Sequence, residues 1–106
     1  MIYVGYPEYD EQIDLNQLVI YGAGHFARRV LQYLEYNNLH NNIICFCVSE
    51  HEQLIDKELK KFQIRNISDI SKEYVNAHYI IAGKYFKNML EQCEKFGLKN
   101  VHIWLI

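Results

Sequence analysis

Leu18-Val19-Ile20-Tyr21-Gly22-Ala23-Gly24-His25-Phe26-Ala27 is the stretch from which the rest of the chain is read. An apolar run suited to a buried strand gives way to two glycines, and from His25 onward the apolar positions recur at helical spacing. A strand, a tight turn and a helix start follow from this. Gly22, Gly24 and Ala27 spell G-x-G-x-x-A. In such a loop the first glycine permits the sharp turn, the second lets a pyrophosphate approach the backbone, and the third small residue lets helix and strand pack closely. The open N–H groups and partial positive charge at the helix start, near His25 and Phe26, then suit a phosphate. The context adds weight, because Leu18 to Val48 supplies strand, helix and strand in the ~30 residues of one βαβ unit. The competing reading is a phosphate-free turn kept for packing.

Downstream, Phe26, Ala27, Val30, Leu31 and Leu34 form the apolar side of a helix over His25 to Tyr36, and Asn37 and Asn38 suit its left-handed end. Ile43 to Val48 is nearly all apolar, as a strand covered on both faces should be, and it is expected to pair in parallel with the first. Glu50 follows at the carboxyl end of that strand, where an acid bonds ribose hydroxyls in NAD-binding domains. An ordinary solvated acid is the alternative there, and His51 reads as exposed. Glu52 to Phe62 is charged and reads as a solvated loop or short helix. A third strand is expected at Phe62 to Arg65, then a brief helix through Tyr74 capped by Ser68. A fourth strand follows at Tyr79 to Ala82, a helix at Tyr85 to Phe96 stopped by Gly97, and a last strand at Val101 to Leu105.

Strands alternating with helices predict an α/β fold: a doubly wound parallel sheet of order 3-2-1-4-5 in a three-layer sandwich. Strands one and four would flank the switch point, so Gly22 to Phe26 and Gly83 to Tyr85 would line one crevice. Lys84 could meet a phosphate there as a point charge, or be a plain surface lysine. His25 is a candidate donor to phosphate or acid/base, against the plainer reading of a first-turn helix residue. Residues 1–16, with Tyr3, Tyr6, Tyr9 and Pro7, read as an N-terminal extension: an ordered lead-in, an edge strand at Ile2 to Val4, or an arm packing on another subunit. Residues 17–106 form the domain.

The 106 residues suffice for one domain, and half of them are hydrophobic. A net charge of -2 gives no basic footprint for nucleic acid or for an anionic membrane. No apolar run approaches a membrane span and no leader pattern is visible, so a soluble, cytoplasmic domain is expected. Three cysteines argue against a disulfide framework. Cys45 and Cys47 should share one strand face, Cys93 an apolar helix position, all as buried thiols without metal. The 14% aromatic content and the tyrosine-rich arm suggest self-association. No G-x-S-x-G, H-E-x-x-H or C-x-x-C is present, and catalytic residues remain unassigned.

Val19-Ile20-Tyr21-Gly22-Ala23-Gly24 with Arg28, Arg29 and Leu31, then Phe46 to Glu50, Ile67 to Ile70, Tyr79 to Ala82 and Gly97 to Val101, resembles the small Rossmann-like domains attached to bacterial surface-polysaccharide enzymes. These accompany capsular nucleotide-sugar dehydratases or epimerases, sugar acyltransferases, glycosyltransferases and methyltransferases. The resemblance covers Leu18 to Leu105. It implies that Gly22, Ala23 and Gly24 hold the phosphates of a UDP-type nucleotide-sugar or of NAD(P), and that Glu50 is the acid after the second strand. Acyltransferase-type domains usually read Gly-Gly-His-Ala, where this chain has Gly24-His25-Phe26-Ala27. Three functions stand side by side: a nucleotide or nucleotide-sugar binding domain, alone or beside a partner catalytic domain; an NAD-dependent oxidoreductase or epimerase-type fragment using Glu50; and an interaction or oligomerisation domain whose phosphate loop is vestigial.

Overall fold

The computed structural model describes residues 1–49 and 55–106. Six strands, β1 (Ile2–Gly5), β2 (Leu18–Tyr21), β3 (Ile43–Val48), β4 (Ile64–Asn66), β5 (His78–Ile81) and β6 (Asn100–Trp104), form one sheet. All pairings are parallel, in the order β1-β6-β5-β2-β3-β4. Helix α1 (His25–Tyr36) connects β2 to β3, α2 (Ile67–Glu73) follows β4, and α3 (Phe86–Lys95) lies between β5 and β6.

The parallel sheet dictates two cores. Alternation along the strands sends Val19, Tyr21, Cys45, Cys47, Tyr79, Ile81, Val101 and Ile103 to one face, where Ile67 and Ile70 of α2 and Cys93 of α3 cover them. Leu18, Ile20, Phe46, Ile80 and Trp104 go to the other face, against Ala27, Val30, Leu31 and Leu34 of α1. The central strand β2 is buried along its whole length, which is why four consecutive apolar residues stand there.

The order differs from the expected 3-2-1-4-5, and the physical reason is the N-terminal segment. Of the readings open for that extension the fold shows the edge strand, at Ile2–Gly5 rather than Ile2 to Val4: it adds a sixth strand, with Ile2 opposite Val101 and Val4 opposite Ile103 on the free edge of β6. Smaller corrections concern boundaries. The strand expected at Phe62 to Arg65 lies at Ile64–Asn66, and the one expected at Tyr79 to Ala82 starts at His78. Ser68 does not cap α2: Asn66 occupies the cap position without a side-chain bond, and the Ser68 carbonyl accepts from the Ser71 hydroxyl inside the helix. Helix α1 has the expected bounds, with Asn38 at φ 58° after it. Gly97 takes φ 71° after α3, the left-handed stop. No helix among the described residues is long and apolar enough to cross a membrane.

Candidate functional site

The two loops expected to share a crevice do meet at the carboxyl end of the sheet, and Gly22 is the reason. Its φ is +132°, and a Cβ there would lie 2.2 Å from the Ala82 carbonyl oxygen, so only glycine lets the loop after β2 pass the end of β5. The Gly22 N–H donates to the Cys47 carbonyl at 2.8 Å, tying the same turn to β3. The Ala23 carbonyl accepts from the Asp56 N–H at 2.7 Å, and Arg28 pairs with Asp56 at 3.6 Å. Asp56 is thereby fixed beside the loop.

Gly24 differs in kind. It has φ -105°, which any residue adopts, and an added Cβ meets nothing among the described residues within 4 Å. Backbone geometry therefore does not demand glycine here; its effect is open space in front of α1. Behind that space the helix starts without a side-chain cap and without an acid in its first turn. Its first N–H groups lack intrahelical acceptors by geometry, at the positive end of the helix dipole; of the nearby arginines, Arg28 is paired with Asp56 and Arg29 Nη1 donates to the Ile106 carbonyl at 3.5 Å. His25 and Phe26 are both exposed at this turn.

Among the described residues, cavities open on both faces near this end of the sheet. One, of about 320 Å³, is mostly apolar and is lined by Phe26, Val30, Gly83, Lys84, Phe86 and Trp104 among others, so it brings Phe26 and Lys84 together. Lys84 is exposed, its ammonium 5.7 Å from the Tyr85 ring centroid. The other, of about 500 Å³, opens on the α2–α3 face between Tyr21, Ser49, Ser68, Tyr85, Asn88 and Gln92. Of the expected site residues, Gly22, Ala23, Gly24, His25 and Phe26 are consecutive through the turn and the start of α1, Lys84 lines the apolar cavity together with Phe26, and Glu50 lies outside the described residues, as does His51.

Cys45, Cys47 and Cys93 are free, fully buried thiols in one core. Burial pushes Cys45 up to about 11 and Cys93 up to about 12, and raises Cys47 well above its ordinary value, so none is a nucleophile at neutral pH. Among the described residues no group of three or more His, Cys, Asp or Glu is placed to hold a metal ion.

Sequence reasoning missed a buried polar chain at the β1 side. Asp10 Oδ2 accepts from His102 Nδ1 at 2.6 Å and from Trp104 Nε1 at 2.8 Å, and His102 Nε2 lies 2.8 Å from His78 Nδ1. Indole only donates, so the carboxylate is the acceptor for both rings, and the network assigns Nδ1–H to His102. Nε2 of neutral His102 then accepts from Nδ1–H of His78. Desolvation lowers both histidines from their ordinary values, outweighing the pull of Asp10 on His102 and of Asp14 and Asp10 on His78. His102 and Trp104, two apart on the last strand, share a face with nothing acidic beside them in sequence; the one available signal was that alternation. The chain clamps residues 6–10 to β6 and anchors Trp104, which also walls the apolar cavity. His78 opens β5 at its amino end, opposite the glycine loop.

No family model, curated protein or solved structure matches this chain.

Proposed function

We propose that the chain is a Rossmann-like nucleotide or nucleotide-sugar binding domain acting in bacterial surface-polysaccharide synthesis, with the phosphates over Gly24. The observation that carries this is the space left open at Gly24 by the described residues, before a helix N-terminus with no side-chain cap. A phosphate in that space would accept from the first-turn N–H groups of His25 and Phe26 and meet a favourable dipole. Lys84 approaches from across the crevice as a point charge, and the apolar cavity between Phe26 and Phe86 receives a flat, uncharged part of the ligand. Glu50, two residues beyond the end of β3, is proposed for the ribose hydroxyls. The polysaccharide context rests on the resemblance of the loop and strand motifs, and cytoplasmic localisation follows from the ligand class.

A thermal-shift panel of UDP, UDP-sugars, CMP-sugars, NAD and NADP tests the reading. A ligand that binds only the folded state stabilises it by about 2.7 kcal/mol at a hundredfold excess over Kd. A rise with UDP-sugars and UDP supports the nucleotide-sugar reading, and a rise confined to NAD or NADP redirects it to a dinucleotide. No shift with any of them at millimolar concentration overturns it.

A further inference from the structure

The two edges of the sheet are unlike each other. On one side β4 is three residues long and carries Arg65, ion-paired with Glu73 at 2.6 Å, and Asn66. Short, charged edges of this kind discourage pairing with another chain. On the other side β1 sits in Met1-Ile2-Tyr3-Val4-Gly5-Tyr6-Pro7, with no charged side chain. Ile2 is 50% exposed and Val4 61%. Leu105, Ile106 and Phe86, which share a cavity wall with Val4, are also exposed. Monomeric domains seldom leave an apolar patch of this kind beside a bare strand edge.

The backbone of β1 is also suited to a copy of itself. The carbonyls of Met1 and Gly5 accept from Val101 and Leu105 N–H at 3.1 and 2.9 Å, so the odd-numbered residues bond inward to β6. By the alternation of a parallel ladder, the N–H and C=O of Ile2 and Val4 point outward. Around a two-fold axis through Tyr3, Ile2 of one copy falls opposite Val4 of the other, and each such pair exchanges both hydrogen bonds. The same register stacks Ile2 against Val4 as apolar cross-strand neighbours. The strand is held ready for this: Tyr3 packs on His102 with ring centroids 6.2 Å apart, and the Asp10 clamp fixes the following turn.

From this geometry we infer that a second copy of the chain pairs antiparallel along β1, joining two six-stranded sheets into one. The inference rests on the strand edge rather than on the ligand reading, although Val4, Phe86, Leu105 and Ile106 wall the same apolar cavity, and its readouts are mass and amide exchange, so it stands or falls separately from ligand binding. Sedimentation at high micromolar concentration should give twice the 12.7 kDa of one chain. Val4→Lys and Ile2→Lys, each at an exposed position, should return the mass to one chain with an unchanged circular dichroism spectrum. Hydrogen exchange on the wild type gives a readout that needs no variant: the Ile2 and Val4 amides should be protected at high concentration and lose that protection on dilution, while Tyr3 and Gly5 stay protected. A monomeric wild type at high micromolar concentration overturns the inference. A dimer that both lysine variants leave intact, or Ile2 and Val4 amides that exchange freely at every concentration, overturns it equally.

Discussion

Replacing Asp10 by alanine tests whether the buried polar chain holds the N-terminal segment to the sheet. The carboxylate side chain is fully buried, and its Oδ2 serves two ring donors at 2.6 and 2.8 Å. Truncation leaves the His102 Nδ1–H and the Trp104 Nε1–H buried without acceptors, and each such orphan costs about 1–3 kcal/mol. The expected loss is therefore roughly 2–6 kcal/mol, a large share of the ~5–15 kcal/mol that holds a domain of this size. At ~4–8 °C per kcal/mol, the melting temperature should fall by about 10 °C or more. Asp10→Asn keeps one acceptor oxygen and should lose less. Urea unfolding at pH 7.5 measures both, and adding Trp104→Phe to Asp10→Ala should cost less than the sum of the single changes, because one orphaned donor is removed. An Asp10→Ala protein within about 0.5 kcal/mol of the wild type, the range of an ordinary surface change, would refute the reasoning.

The histidines of that chain make stability depend on pH. Both are lowered by burial, so the unfolded chain takes up protons first as pH drops below the ordinary value of 6.5; stability should fall from neutrality through that region, and His102→Gln should flatten the fall in urea titrations at pH 5 to 8. The cysteines act at the other end: with folded values of about 11 and 12 for Cys45 and Cys93, stability should decline above pH 9 as unfolded thiols ionise. Native protein at pH 8 should leave all three thiols unmodified by a disulfide reagent that labels them fully in denaturant. Gly22→Ala should destabilise by several kcal/mol, on the order of the largest single-residue effects, because its Cβ meets the Ala82 carbonyl and its φ is positive; near wild-type melting would contradict the close approach.

The sequence made the interior legible where periodicity is unambiguous. Ile43–Val48 and His25–Tyr36 could be bounded from apolar spacing alone, and the parallel pairing of β2 with β3 followed from a βαβ unit of the right length. The strand at Ile2–Gly5 was harder because Ile2, Tyr3 and Val4 are apolar alike, so its alternation of exposed and half-buried positions leaves no polar–apolar pattern in the sequence, and its docking on β6 reveals its place. The Asp10 network was illegible for a related reason. Its members come from the N-terminal turn, β5 and β6, up to 94 residues apart, and no local pattern joins them. At the site, the glycine motif located the turn but could not separate two roles: Gly22 is required by backbone geometry, whereas Gly24 leaves room.

That separation gives the most direct test of the nucleotide-binding account. Calorimetric titration of wild type and Gly24→Val with UDP, UDP-sugars and NAD should show binding to the wild type and none to the variant, with the melting temperature lowered by only a few degrees, since an added Cβ meets no described atom within 4 Å, the loss of glycine from the helix N-cap costs about 1 kcal/mol, and the side chain occupies the space proposed for phosphate. No binding to the wild type at millimolar concentration, or a Gly24→Val protein that binds as well as its parent, would contradict the account.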